Sequence, residues 1–146
     1  MAIQVEVQGV KELLSDLKDF PEKLQKSVML QMSQKAKESM QKGAARHRVS
    51  GELYASTYNR KIEGGREVGH DIGRAPYAKF VLFGTRPHKI VPNKKKALRW
   101  VGPNGFIFAK IVNHPGYRGD DYMETAKDDA IALFNKFVDN AMKESL

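Results

Sequence analysis

The sequence predicts an α+β fold in one domain spanning residues 1–146: a small antiparallel sheet packed against a long N-terminal helix and a C-terminal helix. Three observations predict it. Apolar residues step by three and four at both ends of the chain, while the middle holds short runs bounded by turn residues. The length of 146 residues suits one core. With 41% hydrophobic and 29% charged residues, the composition excludes wholesale disorder.

Taken in order, Ile3, Val5 and Val7 alternate with Gln4, Glu6 and Gln8, the period of a half-buried strand that Gly9 ends. Val10, Leu13, Leu14, Leu17 and Phe20 follow at helical spacing. Pro21 suits the first turn of a new helix, where its missing N–H would be unpaired anyway. From there Leu24, Val28, Met32, Ala36 and Met40 recur every four residues, one stripe of a long helix, and Lys42-Gly43 reads as its stop. Residues 44–49 are polar and basic and read as a loop. Residues 54–62 read as a strand, Glu63-Gly64-Gly65-Arg66 as a hairpin turn, and Val68, His70 and Ile72 as one face of the returning strand. Pro76 opens another helix with Tyr77, Phe80 and Val81 on one side and Gly84 as its stop. Residues 85–92 hold two prolines and read as extended, 94–97 as one helical turn, and 114–117 as a loop. Strands over 98–101 and 106–112 are joined by Gly102-Pro103-Asn104-Gly105, a tight-turn sequence. Met123, Ala126, Ala130, Leu133, Phe134, Phe137 and Ala141 then define a C-terminal helix of about five turns, with Asp120 or Asp121 as its cap. The segments 44–52 and 84–96 are expected to be the most mobile.

The formal net charge is +8, and its distribution is uneven. Residues 72–119 hold ten Lys or Arg and no Asp or Glu, whereas residues 120–146 hold three basic and seven acidic groups. A cationic midsection followed by an anionic tail implies an acidic partner, either nucleic acid or the acidic surface of another copy. No apolar run approaches the roughly 18–20 residues of a bilayer span, and residues 1–7 lack the basic-then-apolar order of a secretory signal. No membrane partner and no leader are therefore expected. Without cysteine there is no disulfide framework and no thiolate metal site.

Chemistry-bearing residues are present without a motif to organise them. His47, His70, His88 and His114 lack the close spacing of a helix-borne metal site. Ser50-Gly51 and Ser56 do not form the G-x-S-x-G turn of a hydrolase nucleophile. Gly64-Gly65 and the 102–105 turn lack the phosphate cradle G-x-x-x-x-G-K-[ST]. No catalytic residue, metal or cofactor is expected. Lys94, Lys95 and Lys96 form the densest charge, suited to DNA phosphates, to solvent, or to an acidic face of a neighbouring subunit. Tyr77, Phe80, Phe83, Trp100, Phe106, Phe108 and Tyr117 interleave with this region and could stack on single-stranded bases. The spacing of Tyr77 with Phe80 and of Phe106 with Phe108 suits burial, so most of them are expected in the core.

Several motifs occur in a telling order. Gly9-Val10-Lys11-Glu12-Leu13-Leu14 opens a helix after the first strand, and Ser50-Gly51-Glu52-Leu53-Tyr54-Ala55-Ser56 follows the long helix and its basic loop. Ala75-Pro76-Tyr77-Ala78-Lys79-Phe80-Val81-Leu82-Phe83-Gly84-Thr85, Pro87-His88-Lys89-Ile90-Val91-Pro92 and Lys96-Ala97-Leu98 come next, and His114-Pro115-Gly116 precedes the last helix near Tyr122-Met123. In this order and spacing, over nearly the whole chain, the sequence resembles the neck and tail-completion (head–tail joining) family of long-tailed bacteriophages and prophages, relatives of the lambda tail-completion protein Z. It departs from the family pattern at Phe83, where a Glu is common before Gly-Thr, and at Asp121-Tyr122, where Pro-Phe is common.

The resemblance implies a structural virion protein of the phage neck, not an enzyme, made and assembled in the bacterial host cytoplasm. It implies a homo-oligomeric ring, expected to be a hexamer, that completes the tail or connects it to the head around the DNA channel. Its implied neighbours are the tail terminator, the head-completion (stopper) protein, the tail tube and DNA in the channel. Ser50, Gly51, Leu53, Ser56, Pro76, Tyr77, Phe80, Gly84, Thr85, His114, Pro115 and Gly116 are then expected to build the subunit. A ring contact joins two different patches. Arg86, Lys89, Lys94, Lys95, Lys96 and Arg99, meeting either a neighbour or DNA, and Asp120, Asp121, Asp128 and Asp129 are the candidates. The alternatives are a basic nucleic-acid-binding protein with no virion role and, in third place, a His/Asp hydrolase or nuclease.

Overall fold

The computed structural model describes residues 18–145. The strand expected over residues 3–7 and the helix expected from Val10 lie outside them, except for residues 18–20, which are turn and bend. Helix α1 (Glu22–Ala45) has 24 residues and follows Pro21, as its sequence predicts. Leu24, Val28 and Met40 of the expected stripe are buried, and Met32 and Ala36 are half-buried. The helix does not stop at Gly43. That glycine is buried inside the last turns, where a Cβ would collide with Cβ and Cγ of Tyr122. Its missing side chain serves close helix packing rather than chain reversal.

The expected C-terminal helix is two, α4 (Tyr122–Ala132) and α5 (Phe134–Glu144), interrupted at Leu133. Both lie antiparallel to α1. Ser39 bonds Asp129 of α4, while Asn140 Nδ2 reaches Gln31 Oε1 at 3.2 Å and Ser27 Oγ reaches Glu144 Oε2 at 3.2 Å on α5. The second half of α1 buries Met40 and Ala44 against Tyr122, Met123 and Ala126, and its first half buries Leu24 and Val28 against Phe137 and Ala141. Each fully buried side chain of Leu or Phe size contributes about 1.5–3 kcal/mol, so this helical seam carries most of the core.

After α1 the chain turns through Gly51, which has φ 86°, into a short helix α2 (Glu52–Ala55) where a strand was expected from residue 54. Leu53 sinks into the core from α2, which is what favours the helical turn there. Strand β1 (Thr57–Ile62) then pairs antiparallel with β2 (Gly65–His70) around the expected Glu63-Gly64 turn, with Ile62 opposite Gly65. Ile72 lies beyond β2. This ladder packs on α1. Helix α3 (Ala78–Phe83) ends at Gly84 as expected, but its inward face is Ala78 and Leu82.

The α+β class read from the sequence holds, with the strands among the described residues distributed over three two-stranded antiparallel ladders. Besides β1–β2, β3 (His88–Ile90) pairs with β6 (Val112–His114), and β4 (Leu98–Gly102) pairs with β5 (Gly105–Ala109). The expected strand over 106–112 is therefore split at Lys110-Ile111. Residues 94–97 are bends, not a helical turn; three adjacent lysines repel one another, and four residues cannot offset the cost of helix nucleation. No helix among the described residues is long and apolar enough to cross a membrane.

Candidate assembly surface

Residues 85–117 form one continuous excursion from the helical body. Its base is the Thr85–Tyr117 bridge, in which Thr85 N donates to Tyr117 O at 2.7 Å and Tyr117 N to Thr85 O at 3.0 Å. His88 then faces His114, Ile90 faces Val112, Leu98 faces Ala109 and Gly102 faces Gly105 at the tip. The outgoing segment 91–97, which carries Lys94, Lys95 and Lys96, is longer than the returning segment 110–111, and this shifts the register between the two ladders. The base closes tightly because Gly84 (φ 77°) and Gly116 (φ 85°) carry no Cβ. A Cβ on Gly84 would lie 2.7 Å from the Arg118 carbonyl carbon, and one on Gly116 would lie 2.6 Å from Thr85 O. Two motif segments expected to be turn punctuation, Gly84-Thr85 and His114-Pro115-Gly116, are thus brought together as the root of the arm.

The arm lacks a core of its own. β4 and β5 pair with each other, and neither packs broadly on a helix of the body. On one face of the hairpin, Val101, Phe106 and Phe108 are 75%, 59% and 65% exposed; on the other, Trp100 and Ile107 are each 41% exposed. Tyr77, Phe80 and Phe83 on α3 and Tyr117 at the arm's root are also exposed. The expectation that most of these aromatics are core residues is therefore corrected. Their strand and helix spacings are real, but the faces they define have no opposing element among the described residues.

Charge follows the same division. Arg86, Lys89, Lys94, Lys95, Lys96 and Arg99 are all exposed, and none makes an ion pair among the described residues. The Arg99 guanidinium lies over the Phe106 ring at 4.6 Å, which occupies one face of that ring. The acidic candidates are mostly engaged inside the chain. Asp120 Oδ2 meets His47 Nε2 at 2.7 Å and Arg46 Nη2 at 2.9 Å. The His47 hydrogen bond, aided by the Arg46 guanidinium, holds the Asp120 carboxyl below the usual carboxylate range. Asp121 caps α4 by accepting from Glu124 N at 3.4 Å, and Asp129 accepts from the Ser39 hydroxyl. Asp128 is exposed with no bond among the described residues.

The remaining motif residues build the body. Ser50 Oγ accepts from Glu52 N at 3.3 Å, and Pro76 and Tyr77 lead into α3. Ser56 belongs to a buried polar chain that sequence reasoning missed. Tyr122 Oη lies 2.8 Å from His70 Nε2, His70 Nδ1 lies 2.9 Å from Ser56 Oγ, and Ser56 Oγ donates to Leu53 O at 2.7 Å. With Ser56 committed to Leu53, the consistent assignment is a neutral His70 that donates from Nδ1 and accepts from Tyr122 at Nε2. Burial pushes the His70 imidazole down to about 4 and the Tyr122 phenol up. Ser56, His70 and Tyr122 are 2%, 1% and 1% exposed, so the chain of bonds stitches α2, β2 and α4 together out of reach of any substrate. Its members are 14 and 52 residues apart, and no local spacing announces them.

The other histidines do not converge. His88 and His114 stack across the β3–β6 ladder with ring centroids 4.9 Å apart, while His47 lies with Asp120. His114 Nδ1 accepts from Gly116 N at 3.0 Å and His88 Nδ1 lies 2.7 Å from Arg86 O. Among the described residues no group of three or more His, Asp or Glu is placed to hold a metal ion. No family profile, curated protein or solved structure matches the chain.

Proposed function

We propose that the protein is a structural subunit of the neck of a long-tailed phage or prophage, a non-enzymatic component that forms a ring at the head–tail junction around the DNA channel. The observation that carries this reading is the arm over residues 85–117. It combines exposed apolar side chains with cations that have no ion-pair partner among the described residues, and no element among those residues covers it. Exposed apolar patches of this kind mark interaction sites. The segment order that resembles the tail-completion family supports the same reading, since Gly84-Thr85 and His114-Pro115-Gly116 meet at the arm's root. Hexameric stoichiometry, the terminator, stopper and tube proteins as neighbours, and residence in the virion belong to the proposal. Imaging particles made without this gene tests it. Filled heads separate from free tails are the expected result, and heads with normally attached tails would refute it.

One observation favours a second reading. Lys94, Lys95, Lys96 and the exposed Trp100 and Phe108 share one arm, as in proteins that bind single-stranded nucleic acid. A nucleic-acid-binding protein with no virion role would bind an oligonucleotide as an isolated monomer, with a steep loss of affinity as salt rises.

A further inference from the structure

The arm and the helical body of this chain carry two surfaces that fit each other. On one face of the arm's hairpin, Val101, Phe106 and Phe108 are 75%, 59% and 65% exposed. At 150–250 Å² for a whole aromatic side chain, they leave on the order of 350 Å² of apolar surface in water. A patch of that size is on the scale of interaction sites, and the charged groups around it are needed to reach the ~800 Å² that each partner of a stable interface buries. A two-stranded hairpin is marginal in water without a third layer. The seven cations of residues 85–117, with no acid among them, add self-repulsion. An apolar surface edged with carboxylates relieves both.

The body has an apolar stripe that abuts carboxylates and also carries one cation, Lys79 Nζ lying over the Phe80 ring at 4.9 Å. Tyr77, Phe80 and Phe83 make an exposed stripe on α3, 40%, 48% and 59% accessible. Asp120 N donates to Val81 O at 2.8 Å, which joins α3 to the acidic start of α4, where Asp121, Glu124 and Asp128 are exposed. The arm leaves the body immediately after this stripe, at Gly84-Thr85. One protruding patch and one different receiving patch on the same chain are what a heterologous contact needs to propagate around a ring.

We infer that the arm of one copy docks on the α3–α4 face of the next copy. Val101, Phe106 and Phe108 cover Tyr77, Phe80 and Phe83, and the neighbouring Arg99 and Lys110 meet aromatic faces and the Asp128 carboxylate. This rests on the ring reading above and supplies its interface.

The chain has no cysteine, so introduced ones report contacts without background. Chains carrying F108C mixed with chains carrying F80C, treated with a short bismaleimide, are expected to give cross-linked dimers, while each alone gives none. The F80C/F108C double variant is expected to form a ladder that ends at the closed ring. In sedimentation, F108E is expected to weaken association at least about 30-fold. At concentrations where both proteins are monomeric, its circular dichroism and unfolding midpoint should match those of the unaltered chain. F108C chains that cross-link to one another but not to F80C chains, or oligomers that survive F108E, overturn this docking and leave the ring reading standing. A chain that stays monomeric at every concentration, with its arm needed only to bind an oligonucleotide, overturns both.

Discussion

The helical body and the arm are built from similar residues to opposite ends. Each is rich in aromatic and branched side chains, and each obeys its secondary-structure period. In the body those side chains meet across α1, α4 and α5, and Val28, Leu82, Ala78 and Tyr122 are all but excluded from water. In the arm Phe106 and Phe108 occupy one hairpin face as regularly, yet both stay more than half exposed. Periodicity says which side chains share a face; burial depends on whether another element arrives to cover it. The body therefore holds its structure by itself, and the arm holds surface in reserve.

The sharpest break of this comparison is a cavity in the body. Leu82 is 2% exposed and packs with Met40, Ala44 and Met123. Leu82→Ala is expected to cost about 3 kcal/mol, within the 2–5 kcal/mol range for such truncations. Denaturant unfolding followed by circular dichroism measures it. A loss under about 1 kcal/mol would mean that the site collapses freely and the body is not close-packed.

Acid sharpens the contrast by acting on a buried group of the body. Burial lowers the His70 imidazole from its ordinary 6.5 to about 4. Between those values the unfolded chain binds more protons than the native one. Stability from neutral burial is therefore fully present above about pH 6.5 and is lost as pH falls toward 4, at about 1.4 kcal/mol per pH unit. His70→Gln keeps a polar group for Ser56 and Tyr122 but cannot titrate, so its unfolding free energy should lack this slope. Parallel pH profiles for the two proteins would show that His70 is not neutral when folded. Tyr122→Phe strands the same imidazole nitrogen and is expected to cost about 1–3 kcal/mol at neutral pH.

What the sequence made legible follows the same line between local and non-local. The stripe of Leu24, Val28 and Met40 and the stripe of Met123, Ala126, Ala130, Phe137 and Ala141 are local periodicities, and both lie where a 3.6-residue repeat puts them. Gly64 and Gly84 were legible as turn residues because their backbone is left-handed whatever surrounds them. Gly43 was not, since nothing local separates a helix-ending glycine from one that admits Tyr122. The break at Leu133 carries no Gly or Pro to mark it. For the candidate surface, the uneven charge and the interleaved aromatics were visible in the chain. Their common exposure was not, because it depends on which element covers each face, and β4 and β5 pack broadly only on each other. Asp120 shows the converse. Its charge made it a docking candidate, and Arg46 and His47, more than 70 residues away, engage it instead.

The smallest expected effect tests the arm most directly. Phe108 is 65% exposed, so Phe108→Ser should change the unfolding free energy by no more than about 0.5 kcal/mol, the usual scale for surface positions. The chain's one tryptophan, Trp100, lies on the same hairpin at 41% exposure, so its fluorescence reports the arm alone. A hairpin with no third layer opens at a lower free energy than the core it leaves. In dilute protein, Trp100 emission should therefore red-shift at denaturant concentrations where the helical signal is still native. In concentrated protein, where docking holds the arm, the two transitions should converge. Coincident transitions at every concentration would show that the arm is held by the body after all, and the division between the two regions would disappear.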